Sequence, residues 1–161
     1  RYRPFKDIIL SYFKDTKANP TGVRIQDVIS EGTKLVVQVE KDERGNKGAA
    51  LTTFISLAGR YLVLMPNNPG GGVSRSIGGE ERAQLRDAMD QLNLPKGMSV
   101  IARTAGIGRS AEELEWDLNY LTQLWKAVDG AAESQTAPFL IYQDASLVIR
   151  AIRDYFRQDI G

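Results

Sequence analysis

SVIARTAGIGRSAEELEWDLNYLTQLWKAV, residues 99–128, runs from a strand through a glycine loop into a long amphipathic helix. Ser99-Val100-Ile101-Ala102-Arg103-Thr104 reads as the strand, and Ala105 to Arg109 as its exit loop. Ser110 opens the helix, and Glu113, three residues on, completes a capping box. Leu114, Leu118, Leu121, Trp125 and Val128 recur at three- and four-residue steps, which makes one continuous apolar stripe. Trp125 belongs to that stripe. Trp116 lies off it and is expected to cover a neighbouring strand.

Outward from this unit, Glu80–Leu92 is also helical, with Ala83, Leu85, Ala88, Met89 and Leu92 on one side and acidic residues in its first turn. Before it, Leu35–Val39, Leu51–Leu57, Tyr61–Met65 and Val73–Ile77 read as strands. Ala58-Gly59-Arg60 is too short for a crossover, so the two central runs should be joined by a hairpin or a bend. Lys41–Gly48 is a charged turn and Pro66–Gly72 a flexible loop. Residues 5–15 and Ala145–Arg157 carry helical apolar spacing, and Pro138–Tyr142 is a further strand candidate. The order predicts an α+β fold: a mixed, largely antiparallel sheet packed with helices.

Composition narrows the chemistry. The chain has 161 residues, 42% hydrophobic and 25% charged, which is ordinary globular usage. With 21 Lys+Arg against 20 Asp+Glu the net charge is +1, so any nucleic-acid contact must come from local clustering. There is no Cys and no His, which excludes disulfide scaffolds, thiolate nucleophiles, zinc fingers and Ser-His-Asp triads. No apolar run approaches a bilayer span or a signal peptide. The absence of an initial Met and the amphipathic run at the end suggest a piece of a longer protein.

Three places carry candidate chemistry. Arg103–Ser110 (RTAGIGRS) joins a strand to a helix start, where backbone N–H groups, Arg103 and Thr104 can meet a phosphate. The loop is not a Walker A motif, because Arg109 stands where the lysine belongs and the spacing differs. A plain connection whose glycines only shape the turn explains the same residues. Lys41, Arg44 and Lys47 are placed to contact a nucleic-acid backbone from an exposed hairpin tip, or simply sit on a solvated turn whose charge Asp42 and Glu43 dilute. Tyr2, Phe5, Tyr12 and Phe13 lie among basic residues, either to stack bases or to form core. No acid/base set or separated carboxylate cluster marks an active site.

Three segments carry a resemblance to the ribonuclease E/G family, to its E type above all: KDERGNKGAALTTFISLAGRYLVLMPNNP (Lys41–Pro69), SVIARTAGIGRSAEELEWDL (Ser99–Leu118) and VIRAIRDYFRQDIG (Val148–Gly161). The resemblance implies that 1–52 is the later part of an S1-type RNA-binding barrel, 53–135 a 5′-sensor, and 136–161 the start of a returning ribonuclease H-like segment. It implies that Arg103 and Thr104 grip the 5′-monophosphate of an RNA, that Gly59 and Val63 line the terminal nucleotide, and that Lys47 and Lys41 contact RNA. Tyr2 falls where the family has a stacking phenylalanine, although Arg1-Tyr2-Arg3 departs from its Gly-Phe-Leu.

By the same resemblance, the chain is an RNA-binding and 5′-monophosphate-sensing part of a single-strand-specific endoribonuclease of mRNA decay and rRNA and tRNA processing. The family's catalytic aspartates and the cysteines of its structural Zn lie beyond Gly161. The Mg and Zn of the parent family are therefore expected outside this chain, with no cofactor within it and no catalysis by it alone. An arginine of the missing catalytic part is expected to complete the pocket. The implied parent is a cytoplasmic homotetramer with RNA-degradosome partners, peripherally associated with the inner membrane through other regions. The chain itself is expected as a monomer or weak dimer. The competing reading is a protein-interaction scaffold with no ligand of its own.

Overall fold

The computed structural model describes residues 24–68 and 70–144. Tyr2 and the predicted helices at 5–15 and 145–157 lie outside these residues. The described part is an α+β fold with two sheets and three helices, and no closed barrel among the described residues.

A single turn, α1 (Ile25–Val28), leads in, and its first N–H groups are met by Asp27, whose carboxylate accepts from Arg24 N at 2.9 Å. β1 (Gln38–Lys41) then pairs antiparallel with β2 (Ala50–Thr52). Val39 faces Leu51 and Lys41 faces Ala50, so Glu40 is an extra residue, a β-bulge. The hairpin tip is a two-residue turn at Gly45-Asn46, with Gly45 at φ 54° and reciprocal 3.0 Å backbone bonds between Arg44 and Lys47.

The second sheet has the order β3 (Leu57–Ala58), β4 (Leu62–Met65), β6 (Ser99–Ala102), β5 (Gly72–Val73). β3–β4 and β4–β6 are antiparallel, with Ala58 opposite Val63 and Val63 opposite Ile101. β5 runs parallel to β6, which requires a crossover, and α2 (Gly79–Asp90) supplies it. Arg82 of α2 donates to the carbonyls of Ser74 and Ile77 at 3.0 and 3.1 Å, stitching the loop that feeds the helix.

After a 3-10 turn (Thr104–Gly106) comes α3 (Ala111–Ala132), capped by Ser110 and Glu113 in a capping box. Its stripe is buried as the spacing predicts: Leu114, Leu118, Leu121, Trp125 and Val128 join Leu57, Leu62, Leu64, Leu85, Val100 and Ala102 in one core. Alternation puts Leu62 and Leu64 into that core and leaves Val63 and Ile101 half-buried on the other face.

Several expectations are corrected. Leu51–Leu57 is not one strand. Thr52 Oγ1 takes the N–H of Phe54 at 3.1 Å and the Gln38 amide bonds both backbone groups of Ser56, so side chains replace the ladder there. The strand expected at Leu35–Val39 forms at Gln38–Lys41. Of Val73–Ile77 only Val73 lies in a strand, with Ser74 N still bonded to Ala102 O at 3.0 Å; Ile77 N bonds Ser74 O at 3.1 Å in a turn, and its side chain is buried in the core. Pro138–Tyr142 forms no strand; Ile141 packs on the core while Leu140 is exposed. Trp116 covers no strand: it is 66% exposed, directly opposite the stripe.

Candidate functional site

The turn of the β3–β4 hairpin is held from two sides. Asp117, in the second turn of α3, accepts the N–H of Arg60 at 3.0 Å, of Tyr61 at 2.9 Å and of Leu62 at 2.8 Å. A carboxylate has two oxygens and about four lone-pair sites, so it satisfies three donors at once. The approach needs Gly59: a Cβ there would lie 2.5 Å from an Asp117 oxygen. The turn closes on itself by Gly59 N to Leu62 O at 2.8 Å.

Its carbonyls point to β6. Arg103 N donates to Tyr61 O at 2.8 Å. The Arg103 guanidinium donates through Nη1 to Gly59 O, in a very short contact, and to Arg60 O at 3.4 Å. The turn therefore gives three N–H donors to a carboxylate and two of its carbonyls to the Nη1 end of the Arg103 guanidinium. Arg103 follows Ile101 by two residues and so emerges on the sheet face that Val63 and Ile101 share, away from the helices.

Thr104 begins the 3-10 turn, exposed, next to Arg103. The turn presses close to β4: an added Cβ on the buried Gly106 would lie 3.5 Å from Tyr61 O. Two more guanidinium groups gather here. Arg60 and Arg109 each lie 5.3 Å from the centre of the Tyr61 ring. Arg109 also meets Glu113 at 3.4 Å, and its Nε is buried with no hydrogen-bond partner among the described residues. The Glu113 carboxyl is held below its ordinary value, first by the Ser110 backbone N–H and then, against some desolvation, by Arg109.

The structure thus brings Gly59, Arg103 and Thr104 together at one end of the sheet, with Val63 two strand positions away. Three arginines, a hydroxyl and a helix start make this end suited to an anion. Lys41 and Lys47 lie instead on the exposed β1–β2 hairpin, a separate sheet. Tyr2 lies outside the described residues. Among the described residues no group of three carboxylates could hold a metal ion, and no helix is long and apolar enough to cross a membrane.

Asp117 and the Arg60–Tyr61–Arg109 stack were not singled out by the sequence. Asp117 sits on a helix rich in acidic residues, and its partners are 55 to 57 positions away, where periodicity carries no signal.

Residues 56–161 match the Ribonuclease E/G family. The sequence is 55% identical over 161 residues to Ribonuclease E of Escherichia coli, covering 99% of this chain and 15% of that protein. It is 53% identical over 161 residues to Ribonuclease E of Haemophilus influenzae, covering 99% of this chain and 17% of that protein. With Ribonuclease E of Buchnera aphidicola subsp. Acyrthosiphon pisum the identity is 52% over 161 residues, covering 99% of this chain and 18% of that protein. The chain therefore spans less than a fifth of the length of these relatives.

Proposed function

The chain belongs to the ribonuclease E/G family, and on that premise we propose that it is the part that reads single-stranded RNA by its 5′-monophosphate end. The observation that carries this reading is the Arg103 guanidinium, held through Nη1 by the carbonyls of the Gly59–Arg60 turn, with Thr104 the next residue along the chain. A 5′-monophosphate carries nearly two negative charges and three acceptor oxygens. A guanidinium fork meets two of them in parallel, and a hydroxyl and backbone N–H groups meet the third. A phosphate adds anionic acceptors to a guanidinium whose Nη1 is already held by neutral carbonyls. A 5′-hydroxyl adds none. Val63, on the same sheet face, is the apolar floor against which the terminal nucleotide rests.

The binding energy serves to orient RNA toward a catalytic centre elsewhere in the longer protein, and this chain performs no cleavage itself. Lys41 and Lys47 add backbone contacts from the β1–β2 hairpin, independent of sequence. The parent's hydrolysis of RNA, its metal ions, its assembly with other degradation proteins and its cytoplasmic setting belong to the same proposal. A scaffold reading rests on Trp116 and Tyr120, 66% and 51% exposed one helical turn apart, a pair that suits a protein partner.

Short RNAs that differ only at the 5′ end test the sensing role. The monophosphate should bind about 10²-fold tighter than the hydroxyl, the worth of two charge-assisted bonds. Arg103→Ala should erase the difference, with Arg103→Lys in between. Equal binding of both ends in the unaltered chain, unchanged by Arg103→Ala, overturns sensing.

A further inference from the structure

At the other end of the β3–β4 hairpin the chain forms a cleft of about 410 Å³, lined by Gln38, Glu40, Thr52, Phe54, Ser56 and Asn68 among others. Its walls are built rather than incidental. The Gln38 amide is pinned at both ends, donating to Ser56 O at 3.0 Å and accepting from Ser56 N at 2.8 Å. Phe54 is half-buried, with its backbone N–H held by Thr52 Oγ1 at 3.1 Å. Glu40 is the extra residue of the β1 bulge, a device that re-aims a side chain.

The lining decides the ligand class. None of the described lining residues is cationic, and one is a carboxylate, so a phosphate group is excluded. A flat aromatic wall, a fixed amide and short hydroxyl and amide side chains suit a planar heterocycle with polar edges. Bases of single-stranded RNA are unstacked and are recognised in this way, by an aromatic face and hydrogen bonds to their edges. Cations for the RNA backbone are on the same hairpin, Lys41 next to Glu40 in β1 and Lys47 at the tip. Ser56 precedes Gly59 by three residues, about 10 Å of extended chain, so the cleft lies within reach of nucleotides that follow a bound 5′ end.

We propose that this cleft is a nucleobase subsite, which takes one unpaired base downstream of the 5′ end and favours guanine. The preference follows from Glu40. A carboxylate only accepts, and guanine presents two adjacent donors, N1–H and the N2 amino group. Uracil presents one N–H between two carbonyl oxygens, which the carboxylate repels. Adenine and cytosine, with one amino group beside an acceptor nitrogen, fall between. The inference rests on RNA being the ligand of this chain.

The test is a set of 5′-monophosphorylated tetranucleotides with guanine or uracil at position two, three or four, titrated by fluorescence anisotropy against the full chain. One position should favour guanine by about 5- to 10-fold. Glu40→Ala, at an exposed site, should bring the ratio below about 2-fold while the 5′-phosphate effect stays, and Phe54→Leu should weaken both bases at that position. A flat response at all three positions, or a guanine preference that survives both substitutions, overturns the subsite; if 5′-phosphate discrimination persists, sensing stands without it. A Glu40-dependent guanine preference with no 5′-phosphate discrimination upholds the subsite and removes sensing. Failure to bind any of these RNAs overturns both.

Discussion

Asp117 answers three backbone N–H groups with one carboxylate, and Gly59 makes room for it. Asp117→Ala leaves those donors without their acceptor in a half-buried turn. It should cost about 2–3 kcal/mol in urea unfolding, with faster amide exchange at Arg60, Tyr61 and Leu62. Gly59→Ala should also destabilise, because its Cβ would collide with the Asp117 oxygens 2.5 and 2.6 Å away. The two costs should not add: with Asp117 already truncated, the alanine at position 59 has nothing to strike. A double-mutant cycle with no coupling would refute the steric account. The glycine was legible in the sequence as part of a tight turn. Its reason was not, because the atom that requires it comes from a helix far along the chain.

At the scale of elements, α3 shows how local and long-range forces divide. Ser110 and Glu113 satisfy the first N–H groups within four residues, so the helix start was readable from the sequence. Ser110→Ala should cost about 1 kcal/mol. The Glu113 carboxyl has a lowered pKa, with the Ser110 N–H as the first cause. Its contribution is therefore complete above the ordinary glutamate value of 4.5 and is lost as pH falls through the lowered value in the folded state. The stability gap between the unaltered chain and Glu113→Gln should be full at neutral pH and should shrink as the pH falls below 4.5, by urea midpoints. On the opposite faces of the same helix, Leu118→Ala should cost about 2–5 kcal/mol and Trp116→Ala within about 0.5 kcal/mol, since Leu118 is 1% exposed and Trp116 66%. The strands were less legible. Leu51–Leu57 has a strand's composition, yet Gln38 and Thr52 intercept its backbone groups and split it.

Across the whole molecule, two sheets carry two kinds of RNA contact in the proposed function. Lys47→Ala and Arg103→Ala should each lower the salt dependence of RNA binding by roughly 0.7 in the log–log slope, the single-strand value for one phosphate contact. Only Arg103→Ala should also remove the preference for a phosphorylated 5′ end. Loss of that preference in Lys47→Ala would contradict the separation of roles.

The linear chain determined the α+β class, the α3 stripe and cap, the hairpin at Ala58–Arg60 and the family, because those signals lie in neighbouring residues or in strings of them. It also offered Arg103 and Thr104 as a candidate place for an anion, beside the plainer reading of a connecting loop. Tertiary structure alone decided what holds them: the carboxylate behind the turn, the carbonyls that orient the guanidinium, the two arginines on Tyr61 and the cleft beside Phe54. Each of these joins side chains from separate elements, and a hydrogen bond depends on distance in space, which spacing along the sequence does not encode.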